Sequence, residues 1–360
     1  MARMRLAIDA RMLDNSGIGV YLSHILARVV ERCSAHRPVV WAAPGALERT
    51  REIAGAAADC RPWAAPPLSV RDLLPPPRTG PDTLWWAPHY NVPLLSGLPL
   101  VVTLHDVLPL SAAAGHWPLA KRVVVRAWLA AVRSRAVRVI CSSAFTRDEV
   151  VRLAGIDASR IDVVPLGVDM PSPAAPVDGA TPYLLFVGLV KPHKNVTGLL
   201  RAFERVSGSI PHRLVVVGRH SGLREVDSEA LALAARLAPR VELVENIPRE
   251  RLASLMAGAA ALVQPSFYEG FGFPPLEAMA LGTPAIVARA GSLPEMCGDA
   301  AVYVDPASTG DIAQAILRVV GDEGLRASLG ARGLAHVRHF TWRRCADRTG
   351  EILLQALGRA

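Results

Sequence analysis

The sequence predicts an α/β protein built as two doubly wound domains, and three observations predict it. Its 360 residues are too many for one ordinary hydrophobic core. Short apolar runs recur along the chain, each followed by a polar or glycine turn and then a helical pattern. Between two such series, GVDMPSPAAPVDGATP at 167–182 is rich in proline, glycine and small residues and lacks periodicity, so it reads as a linker. These place one domain at 1–170 and a second at 183–340. The tail at 341–360 carries a helical pattern and is expected to return to the first domain.

Taken in order, the runs are MRLAIDA (4–10), PLVVTLHD (99–106), VRVICSS (137–143), YLLFVG (183–188), RLVVVG (213–218), VELVEN (241–246), AALVQPS (260–266) and TPAIVAR (283–289). WWAPHYNVP (85–93) also reads as the end of a strand. Near-continuous apolar strands are what a parallel sheet covered on both faces requires. Strands alternating with helices make βαβ units, and ligands then bind beyond the carboxyl ends of the strands.

Hydrophobic content of 51% and charged content of 20% fit a folded chain rather than a disordered one. The net charge is +8, and it is uneven. Residues 1–170 hold 20 Lys and Arg against 14 Asp and Glu, whereas 171–360 hold 20 against 18. That points to an anionic partner for the first half, beside a generally arginine-rich composition. Cys33, Cys60, Cys141, Cys297 and Cys345 are scattered and odd in number, which argues against a disulfide framework or zinc site and fits a reducing cytoplasm. Asp9 and Arg11 interrupt any signal-peptide pattern, and no 18-residue apolar stretch occurs, so membrane contact is expected to be peripheral.

The segment PSFYEGFGFPPLEAMALGTPAIV (265–287) carries the most chemistry. A buried strand ends near Pro265, and Glu269 sits in the glycine-rich turn that follows. Pro274 and Pro275 suit a first helical turn, where a missing N–H costs nothing. Glu277 falls on that helix, and Gly282 ends it as a left-handed cap. Backbone N–H groups at the positive helix N-terminus suit a diphosphate. The two carboxylates would repel phosphate and should face hydroxyls, a sugar on one side and a ribose on the other. Surface glutamates on a plain strand–turn–helix are the simpler alternative for an isolated pair.

This context resembles the donor-binding signature of the retaining GT-B glycosyltransferases, the large family four group, in which two glutamates stand eight positions apart. SGIGVY (16–21), TLHDVLPL (103–110), SSAFTRDEV (142–150), VVPLGVD (163–169), LFVGLVKPHKN (185–195) and GSLPEMCGDAAVYVDP (291–306) follow that family's usual order. The resemblance implies two Rossmann-like domains facing across a cleft, with the acceptor on the first and the sugar nucleotide on the second. It implies that Glu269 contacts the transferred sugar, Glu277 the ribose, and the backbone of Gly270, Phe271 and Gly272 the sugar and phosphates. Lys194 resembles the lysine that neutralises the leaving diphosphate, which would make the reaction metal-independent, with no cofactor beyond the sugar nucleotide as substrate. Many relatives carry arginine where this chain has His193, or after the strand-end glycine where it has Leu189. Arg219 is a candidate substitute for the second phosphate contact.

In the first half, Gly17 and Gly19 permit close approach of backbone to a ligand. By resemblance their loop closes over the diphosphate, and no acidic residue follows at the spacing a nicotinamide site needs. His105 and Asp106 stand at the carboxyl end of an apolar strand. By resemblance His105 contacts the donor sugar near the reaction centre. His89, Tyr90, Asn91 and Asp106 are acceptor-side candidates, with Trp85 and Trp86 either presenting faces to sugar or packing in the core. The basic run AKRVVVRAWLAAVRSRAVR (120–138) is either a membrane-docking helix for a lipid-linked acceptor or a core-facing helix with a solvated face. No nucleic-acid-binding pattern occurs.

The expected activity is retaining glycosyl transfer to a hydroxyl of a glycan or lipid-linked acceptor at the cytoplasmic face of a membrane. The chain's start and its TLHD segment look most like bacterial mannosyltransferases of polysaccharide assembly, which implies GDP-mannose and an O-antigen, capsule or exopolysaccharide intermediate. Two alternatives stay open: a sugar-nucleotide epimerase or hydrolase of the same fold, and a catalytically silent nucleotide-sugar-binding subunit.

Overall fold

Apolar runs of this kind are stable only when covered on both faces, and so they lie in the computed structural model of the chain, which describes residues 4–15, 17–67, 69–76, 79–114, 119–169, 181–221 and 226–359. The chain divides into two units, Met1–Gly167 with Phe340–Ala360, and Val168–His339. The linker expected over 167–182 lies, from 170 to 180, outside the described residues.

In the first unit, strands β1 (Arg5–Asp9), β2 (Val39–Ala42), β3 (Asp59–Pro62), β4 (Thr83–Ala87), β5 (Leu100–Leu104), β6 (Ala136–Cys141) and β7 (Ile161–Val163) pair in parallel in the order β3-β2-β1-β4-β5-β6-β7. Helices α1 (Ile18–Arg32), α2 (Leu47–Ala54), α3 (Leu119–Arg135) and α4 (Ala144–Ala154) connect them. The second unit repeats the plan. Strands β8 (Tyr183–Val187), β9 (Arg213–Val217), β10 (Val241–Val244), β11 (Ala261–Gln264), β12 (Ala285–Ala288) and β13 (Ala301–Val304) run parallel in the order β10-β9-β8-β11-β12-β13. Its helices are α5 (Val196–Val206), α6 (Ser228–Arg236), α7 (Arg249–Ala257), α8 (Phe273–Ala280), α9 (Leu293–Cys297), α10 (Thr309–Gly321) and α11 (Glu323–Val337).

Each sheet reverses its strand order once, between β1 and β4 in the first unit and between β8 and β11 in the second. At such a switch point the loops leaving the two strands diverge and leave a crevice at their carboxyl ends. The helices that flank it are held by ordinary local chemistry. Val196, Leu199, Leu200, Phe203 and Val206 line one face of α5 at helical spacing and are buried on β8 and β9. Truncating Phe203 to alanine there would cost about 3–5 kcal/mol. Ser143 caps α4 by accepting the Thr146 N–H at 3.0 Å, and Gly155 ends it at φ 64°.

All eight apolar runs form strands. β2, β3, β7 and β13 have no counterpart among them; each is three or four residues long, and β3, DCRP, is a polar edge. The basic run 120–138 is not one helix. α3 stops at Arg135 and β6 starts at Ala136 with no turn residue between them. Arg138 therefore lies on a strand, bonded to Asp162 at 2.8 and 2.6 Å. No helix among the described residues is long and apolar enough to cross a membrane.

The tail forms helix α12 (Trp342–Arg359), which packs on α1 within the first unit. Arg28 binds Asp347 with two bonds, at 2.5 and 3.0 Å, and the His24 ring stacks on Trp342 at 4.4 Å.

Candidate active site

The switch point of the second unit brings together residues from the ends of β8 and β11. After β8 the chain runs through Lys191–Lys194 to Asn195, whose left-handed backbone (φ 57°) turns it into α5. The Asn195 side chain donates to the carbonyls of Pro265 at 3.0 Å and Pro306 at 2.7 Å, and Phe267 N–H donates to the His193 carbonyl at 2.9 Å. The two loops are thereby tied, and Lys194 meets Glu269. Its ammonium donates to Oε1 at 2.7 Å and Oε2 at 2.8 Å. Ser266 Oγ and Gln264 Nε2 also donate to Oε1, at 2.9 and 3.1 Å.

Glu269 is buried, 8% exposed. Burial alone would raise its pKa, but the Lys194 ammonium and the Ser266 hydroxyl hold it below the usual carboxylate range. Gly291 is needed beside it. A side chain there would put Cβ 2.7 Å from the Glu269 nitrogen, at φ 62°. Gly272, at φ 98°, opens α8, whose first turn carries Pro274 and Pro275. Phe271 is buried against Phe273. Glu277, on α8, is half-buried and makes no hydrogen bond or ion pair among the described residues. Burial raises its pKa, and Arg249 partly offsets this. Arg249 itself binds Asp169.

His193 does not replace the arginine of many relatives. Burial first, then Lys194, pushes its pKa down to about 4, so at neutral pH it brings no charge. Arg219 stands exposed at the end of β9.

The first unit's switch point gathers a second set of polar groups. Asp9 ends β1 and binds Arg11 at 2.9 and 2.5 Å, and the guanidinium lies 3.4 Å from the centre of the Trp63 ring. Beyond β4, His89 Nδ1 lies 2.9 Å from Asn91 Oδ1. Beyond β5, the His105 ring meets Tyr21 edge-on at 4.8 Å. Its Nε2 is buried without a hydrogen-bond partner. Burial and then His89 lower its pKa to about 3. Asp106 accepts Leu108 N–H at 3.0 Å, and Tyr90 is 7% exposed, largely inside the core.

The structure decides between the two readings of the tryptophans and gives Gly19 a reason within the chain. Trp85 and Trp86 are fully buried within β4, Trp86 donating to Thr103 at 3.1 Å, so neither offers a face to sugar. Gly19 is required by the chain itself, since a Cβ would lie 2.2 Å from the Leu13 carbonyl oxygen. Gly17, by contrast, has open space and φ 76°. Sequence reasoning missed Gln264, Ser266 and the Asp9–Arg11 pair. Their signal was a polar residue ending or leaving an otherwise apolar strand.

Anabaena Alr3699/HepE, solved in complex with UDP-glucose, superposes with a TM-score of 0.76 over 98% of this chain and 100% of that one, at 19% identity. Two parallel-sheet Rossmann-like units of this kind define the GT-B class of glycosyltransferase. Residues 172–336 match the model of glycosyl transferases group 1 and residues 16–170 that of glycosyltransferase family 4. O-antigen chain mannosyltransferase B of Escherichia coli is 31% identical over 69% of this chain and 68% of its own length. The D-inositol 3-phosphate glycosyltransferase of Acidothermus cellulolyticus is 34% identical over 72% of this chain, which spans 61% of that relative. The chain belongs to the glycosyl transferases group 1 family.

Proposed function

We propose that the chain transfers a glycosyl unit from a nucleoside diphosphate sugar to a hydroxyl of a glycan or lipid-linked acceptor, with retention of configuration. The observation that carries this reading is the ion pair of part-buried Lys194 with buried Glu269 at the switch point of the second unit. An ammonium has three protons, and two are directed at Glu269. The third is available to a phosphate oxygen, where negative charge grows as the glycosidic bond breaks. Glu269, kept ionised, then stands beside a sugar ring that becomes positive. Glu277 takes the ribose, and the backbone of Gly270, Phe271 and Gly272 lines the diphosphate at the start of α8. In the first unit, His105 meets the donor sugar near the reaction centre, and His89, Tyr90 and Asp106 supply polar contacts on the acceptor side.

The donor assignment is GDP-mannose, supported by likeness to a mannosyltransferase of O-antigen chains. Docking on anionic lipid is assigned to α3, supported by exposed Leu119, Val123 and Val124 beside Arg126 and Arg133.

The test is a panel of sugar nucleotides, read by thermal shift and then by transfer to methyl mannoside. GDP-mannose should raise the melting temperature, because a ligand of the folded state stabilises by mass action. No stabilisation by any sugar nucleotide would end the reading. Because Lys194 supplies the positive charge, transfer should survive EDTA. A strict magnesium or manganese requirement, restored on re-addition, would contradict it.

A further inference from the structure

The groups at the first unit's switch point differ in kind from those of the second. They are mostly neutral and come from β1, β4 and β5. His89 stands two residues beyond β4, half-buried, its ring tilted on Tyr90 with 3.7 Å between centroids. Its Nδ1 faces Oδ1 of Asn91, which is 2% exposed. A carbonyl oxygen only accepts, so Nδ1 must carry the hydrogen. A neutral imidazole has one N–H, so Nε2 is left with its lone pair. His105 Nε2 is buried without a hydrogen-bond partner.

We propose that Asn91 is a positioning residue that locks His89 in the Nδ1–H tautomer, so that Nε2 accepts a hydrogen bond from a hydroxyl of the acceptor saccharide. This rests on the reading of the first unit as the acceptor-binding one. A lone-pair acceptor selects a hydroxyl donor and disfavours a carbonyl, carboxylate or phosphate at the same point. The groups that bear on the ring are Asp9 of β1, already bound to Arg11, His105 beyond β5, and Asn91 and Tyr90 on its own loop. Burial dominates and keeps His89 neutral down to about pH 4, with Asn91 and Asp9 opposing.

Two measurements on the full chain test this. In protein labelled with ¹⁵N-histidine, long-range ¹H–¹⁵N correlation should show His89 with a protonated Nδ1 and a bare Nε2 at neutral pH. A protonated Nε2 would overturn the proposal whether or not the protein transfers sugar. Saturating methyl mannoside should shift the Nε2 resonance in the wild type and leave it unmoved in Asn91→Ala; no shift in the wild type would also overturn it. In transfer assays, Asn91→Ala should raise the KM for methyl mannoside about tenfold while donor Kd is unchanged. Asn91→Asp keeps the bond but adds a charge that favours the imidazolium, so the acid limb of kcat/KM should move to higher pH. An unmoved limb together with an unchanged KM would leave Asn91 purely structural. A protein that stabilises with no sugar nucleotide would defeat the proposed function instead, and the tautomer measurement would still decide this one.

Discussion

Glu269 is ionised because Lys194 donates to both of its oxygens, and this mutual dependence sets what substitution does. Lys194→Ala should lower turnover by roughly 100-fold, the scale of losing one charge-directed donor. It should also lower stability by about 3 kcal/mol, since it strands a buried carboxylate. Normal turnover in a variant with a normal unfolding midpoint would remove Lys194 from both roles. Glu269→Gln should act mostly on turnover and Glu277→Gln mostly on donor affinity, because the ribose contact is present equally in ground and transition states. Donor titration with rates at saturating donor separates them; the reverse pattern would exchange the assignments. The pH dependence has a definite sign. A carboxyl held below its ordinary value stabilises fully above about pH 4.3, and that contribution is lost as the pH falls through the folded value. The wild type should therefore lead Glu269→Gln in melting temperature at pH 7 and lose that lead towards pH 3. The two glutamates are legible in the sequence because prolines and glycines fix the turn between them. The ion pair is not, since 75 residues separate Lys194 from Glu269 and only the β8–β11 adjacency joins them.

Elements obey the same division between what is local and what is not. Mainly apolar strands of five or six residues, β1, β5, β6, β8 and β9, announce themselves, whereas β2, β3 and β7 are short and exist because a neighbouring strand pairs with them. The end of α3 is hidden because apolar and basic residues run unbroken from helix into strand, and only pairing of β6 with β5 fixes the boundary. The tail is a sharper case. Its helical pattern is plain, but its place depends on contacts such as Gly167 against Trp342. A Cβ on Gly167 would lie 2.2 Å from the Trp342 nitrogen, so the crossing leaves no room for a side chain. Gly167→Ala should lower stability by about 1–3 kcal/mol, as overpacking against backbone does. The urea midpoint of the first unit should fall, followed by fluorescence of its tryptophans, all seven of which lie outside 168–339. An unchanged midpoint would show that the α12 junction yields freely.

On the scale of the molecule, the excess positive charge of residues 1–170 needs a use, and the arginines that could serve a membrane are fewer than the sequence suggests. Arg138 is bound to Asp162, and Arg135 reaches the carbonyls of Ser96 and Pro93. Arg126 and Arg133 remain exposed on α3, and the same helix exposes Leu119 at 71%, Val123 at 55% and Val124 at 47%. Charge and apolar surface contribute differently to a bilayer interaction. Attraction to anionic headgroups is screened by salt, whereas insertion of aliphatic side chains is not. Arg126→Gln with Arg133→Gln should weaken binding to phosphatidylglycerol vesicles by roughly 30-fold at low salt, at about 1 kcal/mol per basic residue near the surface. Val123→Ser with Val124→Ser should instead remove the binding that persists at high salt. All four positions are on the surface, so melting temperatures should stay close to the wild type. Co-sedimentation at two salt concentrations, with phosphatidylcholine vesicles as the neutral reference, reads both effects at once. If the wild type sediments equally with neutral and anionic vesicles, or both double variants bind like the wild type, then α3 is scaffold and the basic first half has another partner.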